Sequence, residues 1–290
     1  MSEIFERKET LLPQPAQALG ALLCVPVPDL ENGDGLPLLW HWVYLLDRPA
    51  QADLGPDGCP VRGTVAAFPG RGRRRMFAGG RVRVNGPLKC NESATKRSRV
   101  LWVQEKRGRS GPLTFLGIGH QILQRGRVVI DEQQDIVYRE TSSSPGTPPE
   151  PLAQGPAVPS ADGEWAIDVS PALLFRFSAL TYNAHRIHYD RDFARNVEGY
   201  PGLIIHGPLQ AIAMAEAARA EALGGNQYDG NQYFEYRMTS PLFDYQGMVV
   251  GAVRTPEGTL TAVRDLYGRP TASGTLQQVL ADAGQTGTSP

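Results

Sequence analysis

Residues 141–164 (TSSSPGTPPEPLAQGPAVPSADGE) carry proline, serine and glycine at a density that no packed core accommodates, and they divide the 290-residue chain into halves of similar size. The stretch reads as a surface linker between an N-terminal unit, residues 1–140, and a C-terminal unit, residues 165–290. Each half then runs in the same order, an apolar helical stretch followed by several strands. In the first half, Leu36 to Asp47 (LPLLWHWVYLLD) is apolar and aromatic, and Pro37 suits a helix's first turn. A buried helix is expected there, although periodicity alone leaves a strand open. Met76 to Val84, Arg99 to Lys106 and Leu113 to Arg125 read as strands between Gly-Pro and Gly-Arg-Ser-Gly punctuation, and a further strand runs from Val128 to near Tyr138.

In the second half, Phe175 to Ala179 leads into a histidine-rich motif. A helix from Pro208 to Leu223 follows, stopped by Gly224-Gly225. Leu209, Ile212, Ala213, Ala217 and Ala220 fall on one stripe of that helix, and its many alanines let another backbone approach closely. Tyr233 to Met238, Met248 to Arg254, Leu260 to Tyr267 and Thr271 to Val279 then read as four strands. The expectation is an α+β fold, an antiparallel sheet wrapped round a helix, duplicated. No sequence repeat accompanies it, so the duplication is an inference from element order alone.

Composition narrows the function classes. A hydrophobic fraction of 41%, a charged fraction of 20% and a net charge of −1 describe a soluble globular protein with no global pull towards nucleic acid or membrane. No apolar run is long enough to cross a bilayer, and the start lacks the apolar core of a signal peptide. Cys24, Cys59 and Cys90 are odd in number, far apart and outside any Cys-x-x-Cys. That argues against a disulfide framework or structural zinc and favours a cytoplasmic protein.

The chemistry concentrates in residues 181 to 209. They read Thr-Tyr-Asn-Ala-His-Arg-Ile-His-Tyr-Asp, a spacer, then Glu-Gly-Tyr-Pro-Gly-Leu-Ile-Ile-His-Gly-Pro-Leu, and hold three of the chain's five histidines, His185, His188 and His206. A histidine titrates near neutrality and suits proton transfer in both directions. The Gly207-Pro208 helix start offers backbone N–H groups to a developing negative charge, and Pro208 has none of its own. Blander readings stand beside these. Gly207 also permits a tight turn, His188 suits a hydrogen-bonded core, and Asn183 suits a strand-capping turn.

This string resembles the MaoC-like, (R)-specific hydratase and dehydratase group of hot-dog-fold proteins. More narrowly, it is similar to the two-domain branch containing mitochondrial-type 3-hydroxyacyl-thioester dehydratases and mesaconyl-C4-CoA hydratases. In the first half, LLWHWVYLLD and Arg-Arg-Arg-Met-Phe-Ala-Gly-Gly-Arg (73 to 81) resemble that branch's N-terminal hot dog. The resemblance implies a double hot-dog fold with a degenerate N-terminal repeat and a catalytic C-terminal one. It also implies reversible hydration of a 2-enoyl thioester, or dehydration of the 3-hydroxyacyl form, on CoA or an acyl-carrier protein, with no cofactor. The broad family's motif is Asp-x-Asn-Pro-(Ile/Leu)-His. With its histidine set on His188, its aspartate falls on Asn183, its asparagine on His185 and its proline on Arg186. The family's glycine amide falls on Gly207. His188, Asn183 and Gly207 are therefore the expected catalytic residues, although Asn183 cannot titrate and can only orient.

Other polar residues are expected around the substrate. Tyr182, His185 and His206 belong to the motif, and His206 also suits bracing the turn before Gly207. The tract from Arg71 to Arg109 holds thirteen Lys or Arg residues against two acids, Glu92 and Glu105. It reads either as the solvated side of alternating strands or as a site for anionic groups such as coenzyme A phosphates or a carrier protein's acidic helix. Within it Arg73, Arg74 and Arg75, with Arg237 elsewhere, are candidates for contacts to the thioester handle. Nucleic acid is a weaker reading, because no aromatic stacking pattern accompanies the charge. His185-x-x-His188 with Asp190 or Asp192 lacks the converging ligands of a metal site, so none is expected. Ser93-Ala-Thr-Lys96 matches Ser-x-x-Lys without supporting context. A thioesterase, a non-catalytic acyl-binding protein and a homo-oligomeric assembly stay compatible with the chain.

Overall fold

The computed structural model describes residues 3–62, 64–65, 73–108, 111–140, 151, 155–221 and 231–279. The first half contributes strands β1 (Phe5–Thr10), β2 (Arg73–Val84), β3 (Ser93–Gly108), β4 (Gly111–Gln124) and β5 (Arg127–Glu140). The second contributes β6 (Trp165–Ile167), β7 (Gln232–Met238), β8 (Met248–Thr255), β9 (Gly258–Arg264) and β10 (Pro270–Gln278). They join one 10-stranded antiparallel sheet in the order β1-β3-β4-β5-β2-β7-β10-β9-β8-β6. Read outward from the β2–β7 seam, the two halves follow the same order. Helix α1 (Pro13–Leu23) follows β1 as α2 (Pro171–Leu180) follows β6, and the two helices pack on each other. The duplication expected from element order is thus present as topology, in a double hot-dog fold.

The seam has a local requirement. β2 shifts register against β5 between Phe77 and Gly79, and Gly79 adopts φ +156° where it faces Arg237 of β7. A Cβ there would lie 2.5 Å from the Tyr236 carbonyl oxygen, so only glycine lets the two halves pair this closely.

The halves differ in what fills the sheet's concave side. In the second half, α4 (Gly207–Glu221) packs against β8, β9 and β10. It is buried on every side from Leu209 to Ala218, while Ala220 is exposed, so the single apolar stripe expected from spacing is not what covers it. The far side is closed by the first half. Trp40 is fully buried and its indole N–H donates to Glu216 of α4 at 2.8 Å. Burying such side chains contributes about 1.5–3 kcal/mol each.

The first half has no counterpart of α4 among its described residues. Leu36 to Asp47, expected as a helix, forms only a 3₁₀ turn at Trp40–Val43. Leu39 and Leu45 sit in the left-handed region at φ 68° and 51°, which breaks a helix on both sides. The segment instead spreads its aromatic side chains in different directions over the concave face. The strands expected from 76, 99, 113 and 128 onward all form, and begin earlier or run longer. Elements β1, α1, β6 and α2 add to the expected set.

Much of the 141–164 stretch and the Gly224-Gly225 stop lie outside the described residues, as do Arg71, Arg109 and the Arg73 side chain. Where described, the stretch is irregular and lies along the second half, with Val158 N–H donating to the Leu266 carbonyl at 2.7 Å. No helix among the described residues is long and apolar enough to cross a membrane.

Candidate active site

The motif follows directly from the end of α2. Ser170 caps the start of α2 by accepting from Leu173 N–H at 3.2 Å, with Pro171 in the first turn. At its other end the Thr181 hydroxyl donates to the Phe177 carbonyl at 2.8 Å, and Tyr182 takes a left-handed conformation, φ 52°, that reverses the chain. Asn183 N–H donates to the Ser178 carbonyl at 2.8 Å, and its side-chain Oδ1 accepts from His185 N–H at 3.0 Å. This local turn commits the amide oxygen and leaves Nδ2 without a partner among the described residues. A 3₁₀ turn (Arg186–His188) then leads into α3 (Arg191–Asn196). Asp190 caps α3 and is ion-paired with Arg186 at 2.7 Å. The first half reaches in here, because Arg186 N–H donates to the Asp57 carbonyl at 2.8 Å.

Three histidines converge. His188 Nδ1 lies 2.8 Å from the Ile204 carbonyl oxygen. A carbonyl only accepts, so Nδ1 carries the proton and Nε2 keeps its lone pair. Burial pulls the His188 pKa down to about 4, the Ile204 contact opposes this, and the nearby Arg75 charge adds to it. The ring is therefore neutral at pH 7. His206, fully buried, stacks on it with centroids 3.6 Å apart, and places Nε2 2.9 Å from the Ser178 hydroxyl. His185 meets the His188 ring edge-on at 5.5 Å. Burial, then the neighbouring rings, hold His185 and His206 well below the usual histidine range.

His188, His185, Asn183, Tyr182 and Gly207 line one cavity of about 490 Å³. Tyr182 is exposed at its rim and the histidines are buried at its wall. Gly207 opens α4, so its N–H has no acceptor within the helix, and the residue lines the cavity. The helix dipole adds a favourable field for an anion there. A Cβ on Gly207 would stand 2.9 Å from Phe77 Cδ1, so the glycine lets the aromatic wall approach the helix start.

The remaining expected residues are placed differently. His206 braces His188 and does not line the cavity. Arg74 is ion-paired with Glu198 at 2.6 Å, and Arg237 is exposed on β7. Arg75 does line the cavity, as do Phe77, Tyr200 and Gln210. The cavity also extends into the first half along an inward row that sequence reading did not single out. Ser98, His120 and Glu132 face one another across β3, β4 and β5, with Ser98 Oγ 2.7 Å from His120 Nδ1. Glu132 accepts from Trp42 Nε1 at 2.8 Å and Gln134 Nε2 at 2.7 Å, and lies 2.9 Å from His41 Nε2. Burial opposes its charge, but the contacts of His41 prevail and bring its pKa to about 2. The only cue in the sequence was the polar residues interrupting the strands' apolar positions.

Asp190 is committed to Arg186 and to the α3 cap, so the His185-x-x-His188 pair gains no ligand from it. Asp57, Cys59 and His185 do bring potential ligand atoms within 4.8 Å of one another. There Asp57 accepts from Cys59 N–H at 3.0 Å, and burial followed by the Asp57 charge pushes the thiol far up, so it stays protonated. The group ties the 53–61 loop to the histidine turn.

Residues 39–244 match the family model described as hydroxyacyl-thioester dehydratase type 2. The chain is 44% identical over 237 residues to mesaconyl-C(4)-CoA hydratase of Chloroflexus aurantiacus, covering 79% of each. Its fold matches the MaoC-like dehydratase of Phytophthora capsici with TM-score 0.65 at 14% identity, covering 96% of both chains. It also matches a Mycobacterium tuberculosis protein described as having a double hot-dog fold, TM-score 0.52 at 15% identity, again over 96% of both. The chain belongs to the hydroxyacyl-thioester dehydratase type 2 family, and the protein is a hydro-lyase of the MaoC-like, double hot-dog kind.

Proposed function

We propose that the enzyme adds water reversibly across C2 and C3 of a 2-enoyl thioester in the cavity shared by His188 and Gly207. The observation that carries this is the pinned tautomer of His188, whose Nδ1 proton is held by Ile204 and whose Nε2 is free as a base. In the hydration direction Nε2 takes a proton from water as its oxygen bonds to C3. The electron pair moves onto the thioester oxygen, where the Gly207 N–H accommodates it. The enolate then takes the proton from His188 at C2, which returns the imidazole to its starting state. Asn183 Nδ2 is the donor that orients the water or the thioester carbonyl. The step is redox-neutral and balances without a cofactor.

In this reading residues 165–290 form the catalytic repeat. Residues 1–140 form a degenerate repeat that shapes the acyl pocket, and 141–164 join them. The handle is coenzyme A or an acyl-carrier protein, and mesaconyl-C(4)-CoA, named for the Chloroflexus relative, is one candidate substrate. Free thiols at Cys24, Cys59 and Cys90 support a cytoplasmic setting. Incubation with crotonyl-CoA tests the reaction. Loss of enoyl absorbance without free thiol is the expected result. Free thiol would indicate a thioesterase, and binding without either change an acyl-binding protein.

A further inference from the structure

Arg75 stands out among the groups that line the cavity. The residue is half-buried, its Nε is fully buried without a hydrogen-bond partner, and it forms no ion pair among the described residues. Arg74 beside it is ion-paired with Glu198, and Arg7, beyond the cavity's far end, with Asp47. Burying a cation without a counter-charge is costly, and a donor left unsatisfied adds to that cost. The Arg75 charge acts on His185, His188, Cys59 and Tyr138. All four are held neutral, the histidines by downward and the thiol and phenol by upward shifts, each caused first by burial. Tyr138, directly across from Arg75 on β5, hydrogen-bonds to it and fixes its direction. Lys96 also lines the cavity without an ion pair, but Asp47, Glu132 and Glu9 supply negative charge around it. The Asp57 and Glu198 carboxylates act on Cys59 as Arg75 does, but neither forms an ion pair with Arg75.

We infer that Arg75 is a specificity-determining residue that pairs with a free carboxylate on the acyl group, so that the preferred substrates are thioesters of short unsaturated dicarboxylic acids. This rests on the hydratase reading for the site's chemistry but not for the binding itself. The anion belongs to the acyl group rather than to the phosphates of the handle for a positional reason. The Nε is buried and the Arg75 charge acts on His185 and His188 inside the cavity, whereas burying the phosphates of a handle would cost far more. A guanidinium grips a carboxylate through two parallel N–H donors. The acid carbon must therefore lie close to the reacting double bond, because Arg75 and His188 line one cavity and the Arg75 charge reaches His188. Pairing also offsets the charge that disfavours protonation of His188, so an anionic acyl group strengthens the base that acts on it.

Titration of the intact protein with succinyl-CoA, butyryl-CoA and free coenzyme A tests this, because the two acyl probes match in length and neither can react. Succinyl-CoA should bind at least tenfold more tightly than butyryl-CoA. Arg75→Gln keeps a hydrogen-bonding side chain but no charge. It should cut succinyl-CoA affinity about a hundredfold, against a small change for butyryl-CoA. Arg75→Lys should recover part of the difference. Equal affinity for the two thioesters in the unaltered protein would overturn the inference. So would an Arg75→Gln variant that weakens all three ligands alike, which would assign the residue to the handle or to the fold. Selective succinyl-CoA binding without conversion of fumaryl-CoA would uphold Arg75's role and remove the hydratase reading.

Discussion

The imidazole rings of His188 and His206 lie face to face, 3.6 Å apart at their centroids and 18° from parallel. Two cationic rings do not stack this way in a dry site, and burial, which brings the His188 pKa to about 4, keeps that ring neutral at rest. For the proposed reaction the consequence is a base that is already deprotonated when substrate arrives. Its Nδ1 is anchored by Ile204 and its face by His206, so only Nε2 is left for chemistry.

Substituting His188→Ala should therefore lower hydration of crotonyl-CoA by about 10²–10⁴-fold, the range that a positioned acid–base group supplies. The fold should survive, with about 1–3 kcal/mol lost because the Ile204 carbonyl is left unpaired. Activity follows from the decay of enoyl absorbance, and folding from circular dichroism and urea denaturation. An active His188→Ala variant would end its assignment as the base.

Asn183 makes a finer test, because its Oδ1 accepts the His185 N–H that shapes the turn. Asn183→Asp keeps that acceptor, and Asn183→Ala loses it together with the Nδ2 donor. The aspartate variant should retain more activity, and the alanine variant should also lose about 0.5–1.5 kcal/mol of stability. Equal loss of activity in both would leave Asn183 without a polar role.

How much of this was legible in the chain depends on the distance between partners. The strands were readable because their alternation and glycine punctuation are local. The α4 start was readable from Gly207-Pro208, and α2 carried an unread local signal in Ser170-Pro171. Leu36 to Asp47 was misread because its role is set far away, by Glu132 for His41 and Trp42 and by Glu216 for Trp40. An apolar run that covers a sheet face looks the same as a buried helix until its partners are known. The arginines were indistinguishable for the same reason. Only the approach of Glu198 to Arg74, 124 positions along, separates it from Arg75 beside it, which forms no ion pair among the described residues.

Acid should destabilise the protein before the carboxylates titrate. His188 has a folded pKa of about 4 against 6.5 for an ordinary histidine, and His185 and His206 are shifted in the same direction. Between those values the unfolded chain binds protons that the folded one refuses, so stability falls as pH drops through that window and is constant in this term above it. His120, also brought to about 4 by burial, adds to the same slope. Urea denaturation at pH 7.5 and pH 5 should show a loss of several kcal/mol, at roughly 1.4 kcal/mol per pH unit for each fully shifted group. An unchanged midpoint would mean that these rings are not buried in neutral form.

Gly207 carries the proposed oxyanion donor next to the aromatic wall, and a substitution there separates position from chemistry. Gly207→Ala keeps the backbone N–H, but its new methyl meets Phe77 Cδ1 at 2.9 Å and Met238 Cγ at 3.4 Å. Phe77 cannot yield freely, because it stacks on Tyr236 at 5.9 Å and meets Trp42 edge-on at 6.1 Å. The helix start should therefore shift, at a cost of about 1–3 kcal/mol in stability. A displaced N–H no longer meets the developing oxyanion, so kcat should fall about 10²-fold while KM moves little. Shortening the wall in the double variant Gly207→Ala with Phe77→Leu gives the methyl room and should recover part of that kcat. Recovery of stability without recovery of kcat would mean that the Gly207 N–H is not the group that meets the charge.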